Sequence, residues 1–354
     1  MTAAAPAVVT VVPSRLRASW LVAGVGAVVV AVVVGVAVGP VGIDPIGVLR
    51  ELLSHVPFLG IHSDLSSRDA LIVTELRLPR VVLALLVGAL LSIAGASYQG
   101  TFRNPLADPY LLGAGAGAGL MVTLVIVSTS ANLPGGDQLV PIAGFVGALG
   151  AVSATYLIGR GAGGVAVVTL ILAGVAITSF LTAIQAYLLQ RNSDNIREVY
   201  SFILGRLTVA GWTEVVLILP YFVVSAAVLL MHRRVLDVLA VGEDEASTLG
   251  IPVARSRLVI VAAASLATAA AVAVAGLIGF VGIIVPHTVR LIAGPSYRVI
   301  LPLSILFGGA FLVLADLIGR TIIAPAELPI GVITAFIGAP FFLVVLRTSV
   351  RSGP

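Results

Sequence analysis

The chain contains no cysteine and no lysine, and arginine supplies all twenty of its basic residues. The absence of cysteine excludes disulfides, thiolate nucleophiles and iron–sulfur ligands. The absence of lysine excludes Schiff-base catalysis. It also removes the lysine of a phosphate-binding P-loop, so the chain does not hydrolyse ATP by that route.

Charge is scarce throughout the sequence. Of 354 residues, 10% are charged and 59% are hydrophobic, whereas soluble domains hold about 25% charged and about 45–50% apolar residues. Because so little polar surface cannot cover a water-soluble globule, the sequence predicts an integral membrane protein surrounded by lipid. The arginines are scattered between apolar runs and form no basic patch, so we expect no nucleic-acid partner.

Ten apolar runs approach the length needed to cross a bilayer, about 20 residues of helix. All are expected to be helices, because an open chain in lipid satisfies its backbone groups in no other way. The first run is too long for the apolar part of a signal peptide and is interpreted as a retained span. The sequence predicts a ten-helix membrane domain at 19–347 between terminal tails at 1–18 and 348–354. The predicted spans are 19–39, 79–99, 110–129, 139–159, 165–189, 214–231, 257–277, 278–294, 299–318 and 328–346.

The placement of arginine indicates the orientation. With the N-terminus inside, twelve of the twenty arginines fall in cytoplasmic segments and eight in outer segments. This bias has the sign that the positive-inside rule requires. A nine-span alternative, which merges 257–294, removes the bias, so ten spans with both termini in the cytoplasm are preferred.

Glycine is abundant inside the predicted spans. Gly115 and Gly119 have the small-x-x-x-small spacing that lets helices approach closely. A nucleotide-binding glycine loop is the weaker interpretation, because its fingerprint needs a preceding strand. Glycines at intervals of three also lie just before Pro286, where we expect a bent or broken helix: Gly276, Gly279 and Gly282.

Polar side chains inside the spans are few, and none forms a catalytic constellation. Asp316 and Arg320 are four residues apart and predict an ion pair on one helical face. The four histidines have no metal-ligand spacing, and no nucleophile–base pair or carboxylate pair is present. The sequence therefore indicates a non-enzymatic protein, and a secondary transporter would need a titratable midplane site that is not visible.

Two polar regions leave alternatives open. The segment at about 237–250 contains a short acidic helix closed by Gly250, which serves either as a connector or as a docking element for a cytoplasmic partner. Arg77, Arg80 and Arg320 lie at the predicted outer surface. Arginine there suits either carboxylate recognition or simple snorkelling of the charged group toward water.

Six motifs in order carry a resemblance to a known family. The chain resembles the permease subunit of type II ABC importers, the family that carries vitamin B12, haem and ferric siderophores. Its motifs cover most of the chain beyond residue 70. They are 77–80 (RLPR), 104–113 (NPLADPYLLG), 172–176 (LAGVA), 279–287 (GFVGIIVPH), 314–316 (LAD) and 327–340 (ELPIGVITAFIGAP).

The resemblance implies a fold and a set of partners. It implies the type II ABC importer permease fold, with ten transmembrane helices per subunit, in a bacterial plasma membrane. The permease would pair with itself or with a closely related permease, and the substrate path would follow the dimer axis. Two separate ATPase subunits would hold ATP and Mg, so this chain would bind no cofactor of its own. An extracytoplasmic substrate-binding protein would deliver the substrate.

The resemblance also assigns roles to residues. Acidic groups on the binding protein would dock onto Arg77, Arg80 and Arg320. The cytoplasmic gate would include Asn104 and Leu106, with a second layer near Val167 and Val168, which are apolar in this chain. Coupling to the ATPase would use Glu243, Asp244, Glu245, Ala246, Ser247, Leu249 and Gly250. A ferric siderophore is the preferred substrate, with haem or vitamin B12 as the alternatives.

Overall fold

The computed structural model describes residues 15–39, 41–54, 62–128, 136–160, 167–207 and 211–351. This part of the chain is helical and contains no β-strand. The α-helices are α1 (Ala18–Ala37), α2 (Pro45–Ser54), α3 (Ser67–Leu71), α4 (Leu78–Phe102), α5 (Ala114–Ser128), α6 (Gly136–Gly159), α7 (Val167–Arg191), α8 (Ile196–Ile203), α9 (Trp212–Met231), α10 (Arg233–Val241), α11 (Glu243–Thr248), α12 (Val253–Ala275), α13 (Val281–Ala293), α14 (Tyr297–Thr321) and α15 (Ile330–Arg351).

Each of the ten predicted spans falls on one of these helices. Within the described ranges, seven helical segments are long and apolar enough to cross a membrane. Three further apolar helices are shorter, namely α5, α13 and the apolar part of α15. The all-helical membrane fold is thus confirmed. The end of the bundle that holds the start of α4 is called the outer end here, following the predicted orientation, and the opposite end is the inner end.

The second span begins earlier than the sequence indicates. Helix α3 continues through a π-helical stretch, Ile72–Arg77, into α4, so the helix starts at Ser67 rather than near residue 79. Pro79 explains the π-helical stretch, because proline donates no backbone hydrogen bond and its ring crowds the carbonyl four residues before it. The wider π turn accommodates both effects without ending the helix.

Helix α4 lies at the centre of the bundle and is buried along most of its length. It packs backbone to backbone on two other helices through glycine. A Cβ on Gly88 would lie 2.2 Å from the carbonyl oxygen of Gly308 on α14. A Cβ on Gly95 would lie 2.1 Å from that of Gly282 on α13. Only glycine permits this approach, so these positions fix the spacing of the central helices.

Glycine also brings α5 and α6 together. The backbone approach is made by Gly117, where a Cβ would lie 2.1 Å from the Gly147 carbonyl oxygen, and not by the predicted pair Gly115 and Gly119. Gly115 instead faces Tyr110 and Leu277. Gly119 faces the buried side chain of Gln185.

Helices α12 and α13 are separate, as the glycine pattern predicts. The chain leaves the helical conformation at Gly276 (φ +69°) and enters α13 at Phe280 (φ +68°). Pro286 lies inside α13 and does not break it. By contrast, α12 contains neither glycine nor proline over its 23 residues, so it is an uninterrupted helical rod about 35 Å long at 1.5 Å per residue.

Candidate functional site

At the outer end, Arg80 binds two carboxylates. Its Nε lies 3.1 Å from both carboxylate oxygens of Asp316, and its Nη2 lies 2.8 Å from Oδ1. Its Nη1 and Nη2 donate to the two oxygens of Glu327 at 3.0 and 2.9 Å. Since every nitrogen of this guanidinium has a carboxylate partner, Arg80 joins α4 to α14 and to the segment before α15.

Arg320 lies against the same carboxylate from one helical turn away. Its Nε is 3.6 Å from Asp316 Oδ2, so the predicted i,i+4 pair forms. Its Nη2 donates to the carbonyl of Gly35 on α1. The Arg320 side chain is 2% exposed and that of Asp316 is 3% exposed, so the pair is buried between α1 and α14.

Arg77 closes the end of α1. Its Nη1 donates to the carbonyls of Val36 at 3.0 Å and Ala37 at 2.9 Å, and its Nη2 donates to Val41. The last carbonyls of a helix have no partner within it, so this arginine, which is 5% exposed, satisfies them from the π-helical stretch before α4. Of the three arginines predicted to dock a binding protein, Arg80 is the most exposed, at 16%. Their docking role stays a prediction.

At the inner end, the predicted gate residues lie on separate elements. Asn104 follows Arg103, whose left-handed conformation ends α4. Its Oδ1 accepts the backbone N–H of Leu106 at 2.9 Å, so the side chain closes a local turn. Val167 and Val168 begin α7, where Val167 is half-buried and Val168 is exposed. The gate assignment stays a prediction for both pairs.

Asp108 is the titratable group of the connection between α4 and α5. Its Oδ1 accepts the backbone N–H of Tyr110 at 2.8 Å. Desolvation by the surrounding protein raises the pKa of this carboxyl to about 6, and the hydrogen bond opposes the rise. The connection therefore holds a carboxylate that is costly to ionise.

We expect the Asp108→Asn variant to be more stable than the native chain at pH 8 and equally stable at pH 4. The raised pKa means that the folded chain binds more protons than the unfolded chain between about pH 4 and 6. Stability therefore falls by about 3 kcal/mol as the pH rises through this range and then stays constant. Asparagine keeps an acceptor for Tyr110 and does not ionise. Unfolding midpoints in detergent at several pH values measure the difference, and a pH-independent difference would contradict it.

The predicted coupling segment is folded as two short helices. The expected acidic helix is present as α11 and is closed by Gly250 (φ +76°). The part before it, predicted as loop from about 237, is helical up to Val241 and belongs to α10. Ala246 is buried, and Glu243 pairs with Arg257 at the start of α12. The exposed members are Asp244, Glu245, Ser247, Leu249 and Gly250.

Asp237 ties this segment to α14. Its Oδ2 accepts the hydroxyl of Ser296 at 2.9 Å and lies 3.3 Å from Nε of Arg298. Its Oδ1 accepts the backbone N–H of Tyr297. This carboxylate therefore caps the first turn of α14 and fastens α10 to it.

Three contributors were not assigned a role from the sequence. Glu327 lies within a quoted motif, but its contact with Arg80 spans 247 residues, and no local spacing indicates it. Arg257 follows Glu243 by 14 residues across a Gly-x-Pro turn, so helical periodicity does not relate them. Asp237 precedes its partners by about 60 residues. Across the described ranges, no three His, Asp or Glu side chains converge as a metal site requires.

Comparison with known proteins gives consistent matches over nearly the whole chain. A model of the FecCD transport family matches residues 27–348. The chain is 42% identical over 345 residues to an uncharacterised ABC transporter permease, YvrB, of Bacillus subtilis, covering 95% of this chain and 96% of that protein. It is 46% identical over 276 residues to the cobalamin import permease BtuC of Halobacterium salinarum, covering 78% of this chain and 73% of that protein.

Two further comparisons extend these matches. The hemin transport permease HmuU of Yersinia pestis is 37% identical over 295 residues, covering 81% of this chain and 88% of that protein. Among solved structures, an inward-facing metal-chelate type ABC transporter superposes with a TM-score of 0.80 at 26% identity. The superposition covers 94% of this chain and all of that one.

Proposed function

Because this chain belongs to the FecCD transport family, we propose that it carries a ferric siderophore inward as the permease of an ATP-driven importer. It is a permease of a type II ABC importer for vitamin B12, haem or iron chelates, and it is a non-enzymatic membrane subunit. The choice of an iron chelate is supported by relatives named as Fe(3+)-citrate, Fe(3+)-dicitrate and iron(3+)-hydroxamate permeases, at 38%, 35% and 32% identity.

Cobalamin is the second candidate substrate. The 46% identity to the cobalamin permease of Halobacterium salinarum favours it. The two candidates are separated by purifying the cognate binding protein from its host and identifying its ligand by mass spectrometry. A cobalt corrinoid as the ligand would overturn the siderophore proposal and leave the importer assignment in place.

The observation that carries the proposal is that two polar features lie at opposite ends of one helix, α12. At the inner end of α12, Arg257 holds the acidic helix α11 through Glu243. At its outer end, the carbonyl of Ala275 accepts the backbone N–H of Arg206 at 2.8 Å. Arg206 lies next to Arg80 and its partners Asp316 and Glu327, which together are called the Arg80 cluster. A protein driven from the cytoplasm and supplied from outside needs a contact surface at each end, and α12 connects them.

We assign the contacts as follows. Two ATPase subunits, which hold ATP and Mg, bind the exposed face of α11 in the cytoplasm. A substrate-binding protein docks at the outer end, on the side of the bacterial plasma membrane opposite the ATPases. Both termini of the permease lie in the cytoplasm.

A second copy of the permease completes the substrate path. Helix α7 is buried along a small part of its surface, and Phe336 on α15 is largely exposed. An apolar groove of about 700 Å³ lies along α15, past Leu277, Phe280 and Phe336, and α7 does not line it. A homodimer that buries the exposed face of α15 would place two such grooves at its axis. ATP-driven closure of the ATPases would rock the helices and open or close the layer at Asn104 and Leu106.

We expect uptake to require ATP and to be independent of ion gradients. The experiment uses proteoliposomes that contain the permease and its ATPases, with the loaded binding protein on one side and Mg-ATP on the other. Accumulation of the labelled chelate should stop when a non-hydrolysable ATP analogue replaces ATP, and a protonophore should not change it. Transport that persists without the ATPases and stops with the protonophore would instead identify an ion-coupled secondary transporter.

A further inference from the structure

A small polar pocket opens beside the Arg80 cluster at the outer end. It has a volume of about 130 Å³. Two arginines and two acidic residues line it, together with residues of the α8–α9 connection and the segment before α15. The charged members are Arg80, Arg206, Asp316 and Glu327.

Unlike Arg77, Arg80 and Arg320, Arg206 has a guanidinium with no hydrogen bond or ion pair to any described residue. Its backbone is nevertheless fixed. Its N–H donates to Ala275 at the end of α12, and the preceding Gly205 has a left-handed conformation (φ +76°). The carbonyl of Leu204 accepts the N–H of Gly331 on α15 at 3.0 Å. These backbone contacts therefore hold Arg206 at the edge of the pocket, and its guanidinium has no partner among the described residues.

Arg77, Arg80 and Arg320 already have hydrogen-bond or ion-pair partners within the protein. Arg77 and Arg320 donate to carbonyls at the end of α1, and Arg80 is held by two carboxylates. An incoming carboxylate would have to break those bonds to reach them. Binding to Arg206 breaks no bond with any residue that the structure describes, so the net gain from a charge-assisted contact is retained.

Glu327 is the more easily displaced of the two carboxylates on Arg80. Its side chain is 29% exposed, whereas that of Asp316 is 3% exposed and also lies beside Arg320. A carboxylate that enters the pocket meets Glu327 as a like charge and competes with it for Arg80. Removing the charge of Glu327 should therefore favour the entering group.

We propose that this pocket receives a carboxylate side chain of the extracytoplasmic binding protein, that Arg206 is the cation that binds it, and that Glu327 opposes its entry. The proposal rests on the proposed function, since it names the contact chemistry of the docking surface. It adds to the docking surface an arginine outside the set that the family motifs indicate.

The test measures the affinity of the cognate binding protein for the permease–ATPase complex in nanodiscs. Replacing Arg206 by Gln should weaken binding about 10- to 100-fold, because a hydrogen bond to a charged group is lost. Replacing Glu327 by Gln should strengthen binding by up to about tenfold, and both effects should shrink at high salt. If the pocket had a purely structural role, R206Q and E327Q would not change the affinity for the binding protein in opposite directions.

Matched controls lie nearby on α8. Arg197 and Glu198 are exposed and do not line the pocket, so R197Q and E198Q repeat the two charge changes elsewhere on the outer end. Each should change the affinity less than about threefold, as expected for rim charges. If R206Q does not fold, R206K keeps the charge without the forked donor geometry and should weaken binding several-fold.

The outcomes separate the two proposals. If the native complex does not bind the cognate protein, the delivery step of the proposed function is wrong. If the native complex binds it and R206Q binds equally well, or no more weakly than R197Q, the inference about Arg206 is overturned and the importer assignment stands. Weaker binding by E327Q would overturn the opposing role of Glu327.

Discussion

Replacing Asp316 by alanine is expected to destabilise the folded permease by about 3–5 kcal/mol, the cost of leaving a buried ion pair without one partner. Asp316 receives three contacts from Arg80 at 2.8–3.1 Å and lies 3.6 Å from Arg320. Without it, Arg320 is a buried cation with a single backbone acceptor, and Arg80 loses its contact with α14. The unfolding midpoint of the purified protein in detergent measures the loss.

Glu327 provides the matched control for this prediction. It binds the same guanidinium, but its greater exposure lets water replace it, so its removal should cost about 1 kcal/mol or less. An Asp316→Asn variant should lie between the two, because the amide keeps an acceptor and loses the charge. Equal losses for the alanine variants at 316 and 327 would show that burial does not control the strength of this cluster.

Replacing Leu249 by asparagine is expected to reduce ATP-coupled uptake about 10- to 100-fold. Leu249 follows the acidic helix α11 and is 69% exposed, so the fold gains little from it. If the leucine is buried in the ATPase groove, its loss removes about 1.5–3 kcal/mol of transfer free energy, which is about 10- to 100-fold in affinity. Titration of the ATPase subunits against the permease and uptake in proteoliposomes should fall together.

Leu291 allows a control of the same type and exposure. It is also 69% exposed and lies in the last turn of α13 at the inner end. The Leu291→Asn variant should keep its affinity for the ATPases. Neither variant should lower the free energy of unfolding by more than about 0.5 kcal/mol. Loss of uptake in both variants, or in neither, would contradict a specific role for Leu249.

The sequence predicts the helices better than their ends. Apolar runs locate the spans because burial in lipid requires them, whichever partners each helix has. The start of the second span is missed because Asp69, Glu75 and Arg77 interrupt the apolar pattern, although the backbone remains helical there. Helix α5 begins at Ala114 rather than near 110. The side chains of Asn104 and Asp108 accept backbone N–H groups two residues ahead and hold the chain before α5 in turns.

The candidate site is predicted less completely, for a physical reason. Charged side chains in lipid take partners wherever the fold supplies them, and those partners are distant in sequence. The pair of Asp316 and Arg320 is predictable because it lies within one turn of one helix. The commitment of Arg77 to α1 depends on carbonyls about 40 residues away, which no pattern in the sequence marks. That the guanidinium of Arg206 has no partner among the described residues is visible only in the folded structure.

The unbroken course of α12 has a mechanical consequence. A helix without glycine or proline resists kinking, so we expect an axial push at Arg257 to move Ala275, and with it the backbone of Arg206, as one body. The same rod works in reverse, and thermodynamic linkage requires the two directions to be equal in energy. If the ATPases and the binding protein bind where we propose, the factor by which the ATPases change the affinity for the binding protein equals the factor by which the binding protein changes the affinity for the ATPases. We therefore expect α12 to couple the two sides of the membrane as a rigid element rather than as a hinge.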